Sequence, residues 1–129
     1  MRSKPLQLKG PDMFLLPIVG ESFYQDNIAS IVGKQQRDWK PTHVGGVLVL
    51  EDENPRDSNA VRVDVRGKPV GYLSRENAAQ FRTRLAEAGL TGKATWCRAK
   101  IVGTSEDRRG LPNFGVWLDL PIMIGPLVS

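Results

Sequence analysis

The stretch "AVRVDVRGKPVGYL", residues 60–73, decides the fold. Val61, Val63 and Val65 share one parity and Arg62, Asp64 and Arg66 the other, the period of two expected of a strand with one face in a core and one in water. Gly67 and Lys68 are read as the turn, and "PVGYL" as the returning strand, so the stretch predicts a hairpin with one half-buried face. Ser74 then offers an N-cap, with Glu76 well placed in the first turn. Ala78, Phe81, Leu85 and Ala88 recur at helical spacing up to a closing Gly89. Arg82 and Arg84 fall beside that stripe and are expected simply to keep the outer surface of the helix wet.

Working upstream, "HVGGVLVLE" (43–51) reads as a strand whose glycines allow twist or close backbone approach. "MFLLPIVG" (13–20) reads as another, which Pro17 confines to an edge or marks with a bulge. Between them, "SFYQDNIASIVG" predicts a short helix with Asp26 as N-cap, Ile28, Ile31 and Val32 on one side, and Gly33 as the stop. The polar connection over residues 34–42 carries one aromatic, Trp39, read as a lid over the core in preference to an exposed platform. Downstream, Thr95, Cys97, Ala99 and Ile101 alternate with Trp96, Arg98 and Lys100, and Phe114, Val116, Leu118 and Leu120 share a parity in the last strand. Strands outnumber helices and no strand-helix-strand unit repeats. The expected fold is therefore mostly β: a small, strongly curved or closed sheet of about six strands with two short α-helices outside it. Residues 1–12 are read as a flexible lead or an irregular edge, 13–120 as a single domain, and 121–129 as a short apolar tail.

Charge is uneven along the chain. Residues 1–64 hold eight basic and nine acidic side chains, and residues 65–129 hold ten and five. The surplus in the second half permits binding to a polyanion without requiring it. Neither end has a run of apolar residues long enough for a signal peptide or a membrane span, so a cytoplasmic protein without membrane contact is expected. With a single cysteine, Cys97, no internal disulfide can form, and its place in an alternating strand predicts a buried small residue.

Catalytic signatures are missing. His43 and Cys97 stand more than fifty residues apart, and neither zinc-ligand spacing, a nucleophile elbow nor a phosphate-binding loop occurs. No cofactor, metal or catalytic residue is expected. Glu51, Asp52, Glu53 and Asp57 could gather magnesium for phosphodiester cleavage, but acids in a turn are readily satisfied by solvent. Binding is the more economical reading. Single-stranded nucleic acid needs flat faces for bases and cations for phosphates; Phe23, Tyr24 and Arg75 are candidates for both, Arg75 at the opening of a helix, with ordinary core packing the equal alternative for either aromatic.

Three segments, "IVGESFY" (18–24), "DENPRDSNAVRV" (52–63) and "GKPVGYLSRENAAQF" (67–81), together resemble the HIRAN domain. That module occurs at the amino end of helicase-like DNA remodellers and in small stand-alone bacterial proteins. The resemblance extends over roughly residues 14–120. It implies an OB-like or SH3-like curved β-barrel that binds single-stranded DNA, with 3′-end recognition in members attached to fork remodellers. Carried over by position, it implies Phe23 and Tyr24 at a base-stacking edge, Asp57 as acceptor for a terminal 3′-hydroxyl, and Arg75 on a phosphate. Arg56 departs from the pattern. It stands where end-binding members can carry an aromatic, removing a base platform and adding a cation. The expected function is a non-catalytic single-stranded-DNA module in DNA repair or fork processing, with any helicase or nuclease activity in a partner. Two other readings are a structural or protein-interaction barrel and a metal-dependent nuclease accessory protein.

Overall fold

The computed structural model describes residues 4–33 and 40–121. The expected Trp39 lid, most of the 34–42 connection and all of the tail beyond Pro121 lie outside the described residues. Among the described residues, seven strands and two α-helices follow in the order β1 (Leu6–Gln7), β2 (Leu16–Pro17), α1 (Gln25–Val32), β3 (Thr42–Leu50), β4 (Val61–Val65), β5 (Lys68–Tyr72), α2 (Arg75–Glu87), β6 (Thr95–Glu106) and β7 (Pro112–Leu118). A 3₁₀ turn, Glu21–Phe23, leads into α1. Six strands form one antiparallel path, β2-β7-β6-β3-β4-β5, curled into a half-barrel, and β1 adds to β6 in parallel.

Residues 16–19 draw the two outer strands together. Leu16 and Pro17 pair with Leu118 and Trp117 of β7, and two residues later Val19 exchanges both backbone hydrogen bonds with Tyr72 of β5, at 2.7 and 2.9 Å. The curvature leaves an inner face that the valine alternation fills. Val61, Val63, Val65 and Val70 are fully buried with Leu16, Cys97, Ile101, Val116 and Leu118. Ile28, Ile31 and Val32 of α1 and Ala78, Phe81 and Leu85 of α2 belong to the same core. Each large aliphatic side chain so removed from water contributes about 1.5–3 kcal/mol before conformational entropy is charged against it. The Cys97 thiol is pushed up to about 12, first by burial and then by the nearby Asp119 carboxylate, so it is protonated and inert at neutral pH.

Several local expectations shift. The hairpin turn is Arg66–Gly67, one residue earlier than the pattern suggests, both with positive φ (52° and 77°) as a two-residue type I′ turn requires. Lys68 is already paired with Val65. Helix α1 starts at Gln25 with Tyr24 in the cap position and no capping side chain, because the 3₁₀ turn runs directly into it. Asp26 is thus a first-turn acid and not the N-cap. Ser74 does cap α2, its hydroxyl accepting from the Asn77 amide at 3.1 Å. On α2 the buried stripe is Asn77, Ala78, Phe81 and Leu85, and Ala88 is exposed, since the helix ends there. "MFLLPIVG" is broken: Phe14 has a left-handed backbone (φ 51°), and strand pairing with β7 is confined to Leu16–Pro17, with one further backbone bond from Ile18 to Val116 at 3.2 Å. Of residues 1–12, Leu6 and Gln7 pair with β6 as a two-residue edge strand, with the Leu8 amide donating to the Trp96 carbonyl at 2.8 Å. Among the described residues no helix is long and apolar enough to cross a membrane.

Candidate nucleic-acid interface

The loop between β3 and β4 is built by its own side chains. The Asn54 side-chain oxygen, Oδ1, accepts from the backbone amides of Arg56 and Asp57, at 2.9 and 3.2 Å. One Asp57 carboxylate oxygen, Oδ1, accepts from the Asn59 amide at 2.9 Å, and the Asp57 carbonyl accepts from the Ala60 amide at 3.0 Å. This is the side-chain mimicry of a turn that Asn and Asp favour. The second Asp57 oxygen makes no hydrogen bond among the described residues. Helix α2 reaches the same loop, Arg75 donating to the Arg56 carbonyl at 3.0 Å.

A cleft of about 730 Å³ opens between this loop, the 3₁₀ turn, the end of β5 and the start of α2. Phe23, Tyr24, Arg56, Asp57 and Arg75 all line it. The two adjacent aromatics behave differently. Phe23 is 84% exposed, so its ring is not a core side chain. Tyr24 is half-buried and its hydroxyl interacts with Tyr72. Tyr72 lines the cleft too, and its phenol is pushed up to about 12 by burial first and then by its hydrogen bond to Glu51. Behind it, Arg62 bridges Glu51 and Asp64, each at 2.8 Å. The cleft wall is therefore a tyrosine pair anchored in an ion-pair network. Tyr72 belongs to the "VGYLSRE" segment, yet sequence alone does not single it out, because an aromatic at that strand position reads equally as packing.

Burial of Glu51 raises its carboxyl, but hydrogen bonds from Asn54, Tyr72 and Arg62 together with the Arg62 charge outweigh that and hold it below the ordinary 4.5. A depressed folded-state value makes its stabilisation complete above 4.5 and lost as pH falls through the folded value. Acid unfolding of Glu51→Gln, followed by circular dichroism, is accordingly expected to depend less steeply on pH below about 5 than that of the parent chain, by a fraction of a proton.

The acidic run does not gather into a metal site. Glu51 is tied to Arg62, and Asp52 to Arg82 at 2.6 Å. Among the described residues no group of three or more His, Cys, Asp or Glu side chains is placed to hold a metal ion. His43 is exposed on β3, edge-on to the Phe14 ring at 5.5 Å. Arg82 is where helical periodicity misleads: its guanidinium donates to the carbonyls of Asn59 (2.8 Å) and Ala60 (3.0 Å) as well as to Asp52.

The family model of the HIRAN domain matches residues 12–107. The chain belongs to the HIRAN domain family. The match takes in the loop, the 3₁₀ turn and α2, hence every residue of the cleft named above, and stops within the β6–β7 connection. No curated protein and no solved structure shows significant similarity to this HIRAN chain.

Proposed function

We propose that this HIRAN domain is a non-catalytic module that grips single-stranded DNA and accepts a free 3′-hydroxyl end in its cleft. The observation that carries the reading is convergence: side chains from residues 23–24, 56–57 and 75, far apart in sequence, line one cleft. Membership of the family supports the ligand class. In this reading the exposed Phe23 ring takes a base face, Arg75 and Arg56 take phosphates, and the unshared Asp57 oxygen accepts from the terminal hydroxyl. A carboxylate there repels a terminal phosphate. Strand-separating or cleaving chemistry would come from a partner or an attached motor.

Fluorescence polarisation with labelled strands ending in 3′-hydroxyl or 3′-phosphate, and with a circular strand, at two salt concentrations, tests it. The expected order is hydroxyl above phosphate and circle, weakening with salt. Negligible binding to all three would leave a structural or protein-interaction barrel. Firm, salt-sensitive but equal binding would retain the nucleic acid and remove the end. Arg75→Ala is expected to weaken all three strands about three- to tenfold and to reduce the salt slope by about one.

Phe23→Ala separates stacking from packing. Because the ring is 84% exposed, its loss should leave stability within about 0.5 kcal/mol of the parent, while loss of a base contact costs about 1 kcal/mol or more of binding. A fall in melting temperature with unchanged affinity would return Phe23 to a packing role.

A further inference from the structure

Arg82 uses all three guanidinium nitrogens on the β3–β4 loop. Nε donates to the Asn59 carbonyl at 2.8 Å, Nη2 to the Ala60 carbonyl at 3.0 Å, and Nη1 to the Asp52 carboxylate at 2.6 Å. Its side chain is 20% exposed, whereas that of Asp52 is 73% exposed. Two of the three bonds go to backbone, so salt screening of the ion pair removes only part of the grip. Lysine could keep the ion pair, but it has no planar fork to span two successive carbonyls and a carboxylate.

The bonds fall on the residues that follow Asp57. Upstream, Asn54 holds the Arg56 and Asp57 amides, and Arg75 holds the Arg56 carbonyl. Downstream, the loop rejoins β4 at Val61 immediately after the two carbonyls that Arg82 holds. The Asp57 carboxylate accepts from Asn59 and its carbonyl from Ala60, so Asp57 is bonded to the same two residues that Arg82 pins to α2. Arg82 does not line the cleft. We infer that Arg82 is a positioning residue for end recognition: it locks Asn59 and Ala60 against α2 and thereby aims the Asp57 carboxylate into the cleft. The inference rests on the reading of the cleft as a 3′-end site.

Arg82→Gln, Arg82→Lys and Asp52→Asn test it in the full chain. Two readouts are compared: the affinity ratio of a 3′-hydroxyl to a 3′-phosphate strand, and hydrogen exchange of the Asn59 and Ala60 amides in the free protein. Arg82→Gln is expected to speed exchange at both amides at least tenfold and to lower the affinity ratio several-fold. Its affinity for the circular strand should stay within about threefold, because Phe23 and Arg75 are untouched. Arg82→Lys should resemble Arg82→Gln, and Asp52→Asn should resemble the parent, since the carbonyl bonds carry the effect. Unchanged exchange in Arg82→Gln would overturn the inference, and so would a parental ratio alongside accelerated exchange. If Arg82→Gln fails to fold, Arg82→Lys decides alone: full rescue by lysine would reduce Arg82 to an ion-pair partner and overturn the claim. Exchange is read without ligand, so a parent chain that binds no strand would fail the 3′-end reading while leaving the pinning of the loop to be judged separately.

Discussion

Replacing Gly71 by alanine is expected to destabilise the domain by about 3 kcal/mol, lowering its melting temperature by about 10 °C. Gly71 has φ 156°, and a Cβ at this position would lie 2.7 Å from both the Ile18 Cδ1 atom and the Val19 carbonyl oxygen. The latter is backbone, and that same carbonyl accepts from the Tyr72 amide at 2.9 Å in the bridge between the outer strands. The Ile18 methyl can turn aside only by repacking the core, and the Val19 carbonyl cannot yield without opening the bridge. Gly67 provides the contrast, since its φ is 77° but a Cβ there would meet no atom within 4 Å. Gly67→Ala should therefore cost only the backbone penalty of about 1 kcal/mol. Thermal and urea denaturation of both variants decides the matter: equal losses would show that backbone conformation, not the closing contact, limits position 71. Gly71→Ala should also weaken the cleft, because Val19, Gly20 and Tyr72 line it.

The glycine of "VGYLSRE" thus has a structural reason, and the rest of that segment shows how much is legible in advance. Alternation identifies the buried set of β4, β6 and β7 correctly, because each of these strands presents one face to the core and period two leaves little freedom. Ser74 is legible because a cap is a local bond, made three residues away. Asp26 is not the cap it resembles, because a 3₁₀ turn feeding a helix supplies its own backbone entry, which residue preferences do not reveal. At 13–20 the apolar run looks continuous, yet Phe14 leaves the extended region and turns its ring toward Arg98 and Lys100, at 5.2 and 5.7 Å. Tertiary contacts outweigh local pattern there.

The cleft follows the same division. Phe23, Tyr24, Arg56, Asp57 and Arg75 can be named from motif positions, but their common lining of one cleft cannot be deduced from spacing. Arg82 is illegible for a stricter reason. Its partners lie 22, 23 and 30 residues away on a loop, and nothing in helical periodicity separates an arginine that faces water from one that faces another element. Arg56 is exposed beside Asp57 and lines the cleft, so a cation stands at the place where the family resemblance allows an aromatic. In the proposed complex this strengthens phosphate attraction and leaves Phe23 as the exposed aromatic surface of the cleft, which makes discrimination of the end depend more heavily on Asp57.

Asp57→Asn is accordingly expected to abolish the preference for a 3′-hydroxyl over a 3′-phosphate while leaving the fold intact. The substitution is selective because the two carboxylate oxygens have different duties. Oδ1 holds the Asn59 amide at 2.9 Å, and the asparagine carbonyl can hold it equally, so stability should stay within about 0.5 kcal/mol of the parent. The other oxygen becomes an amide nitrogen, which donates where the carboxylate accepted. A hydrogen bond to a charged acceptor is worth about 1.5–3 kcal/mol, and loss of the charge also removes repulsion of a terminal phosphate. The affinity ratio between the two strands should fall by about 10- to 100-fold, with the 3′-phosphate strand gaining as the 3′-hydroxyl strand loses. Asp57→Ala is the informative companion: it removes the turn bond as well and should cost about 1 kcal/mol of stability. Because screening reaches about 10 Å at 0.1 M salt, the repulsive part of the effect should shrink as salt rises and the hydrogen-bond part should persist. An unchanged ratio in a folded Asp57→Asn protein would reduce Asp57 to a turn residue and take the end out of the proposed function, leaving Phe23 and Arg75 to bind strands without regard to how they finish.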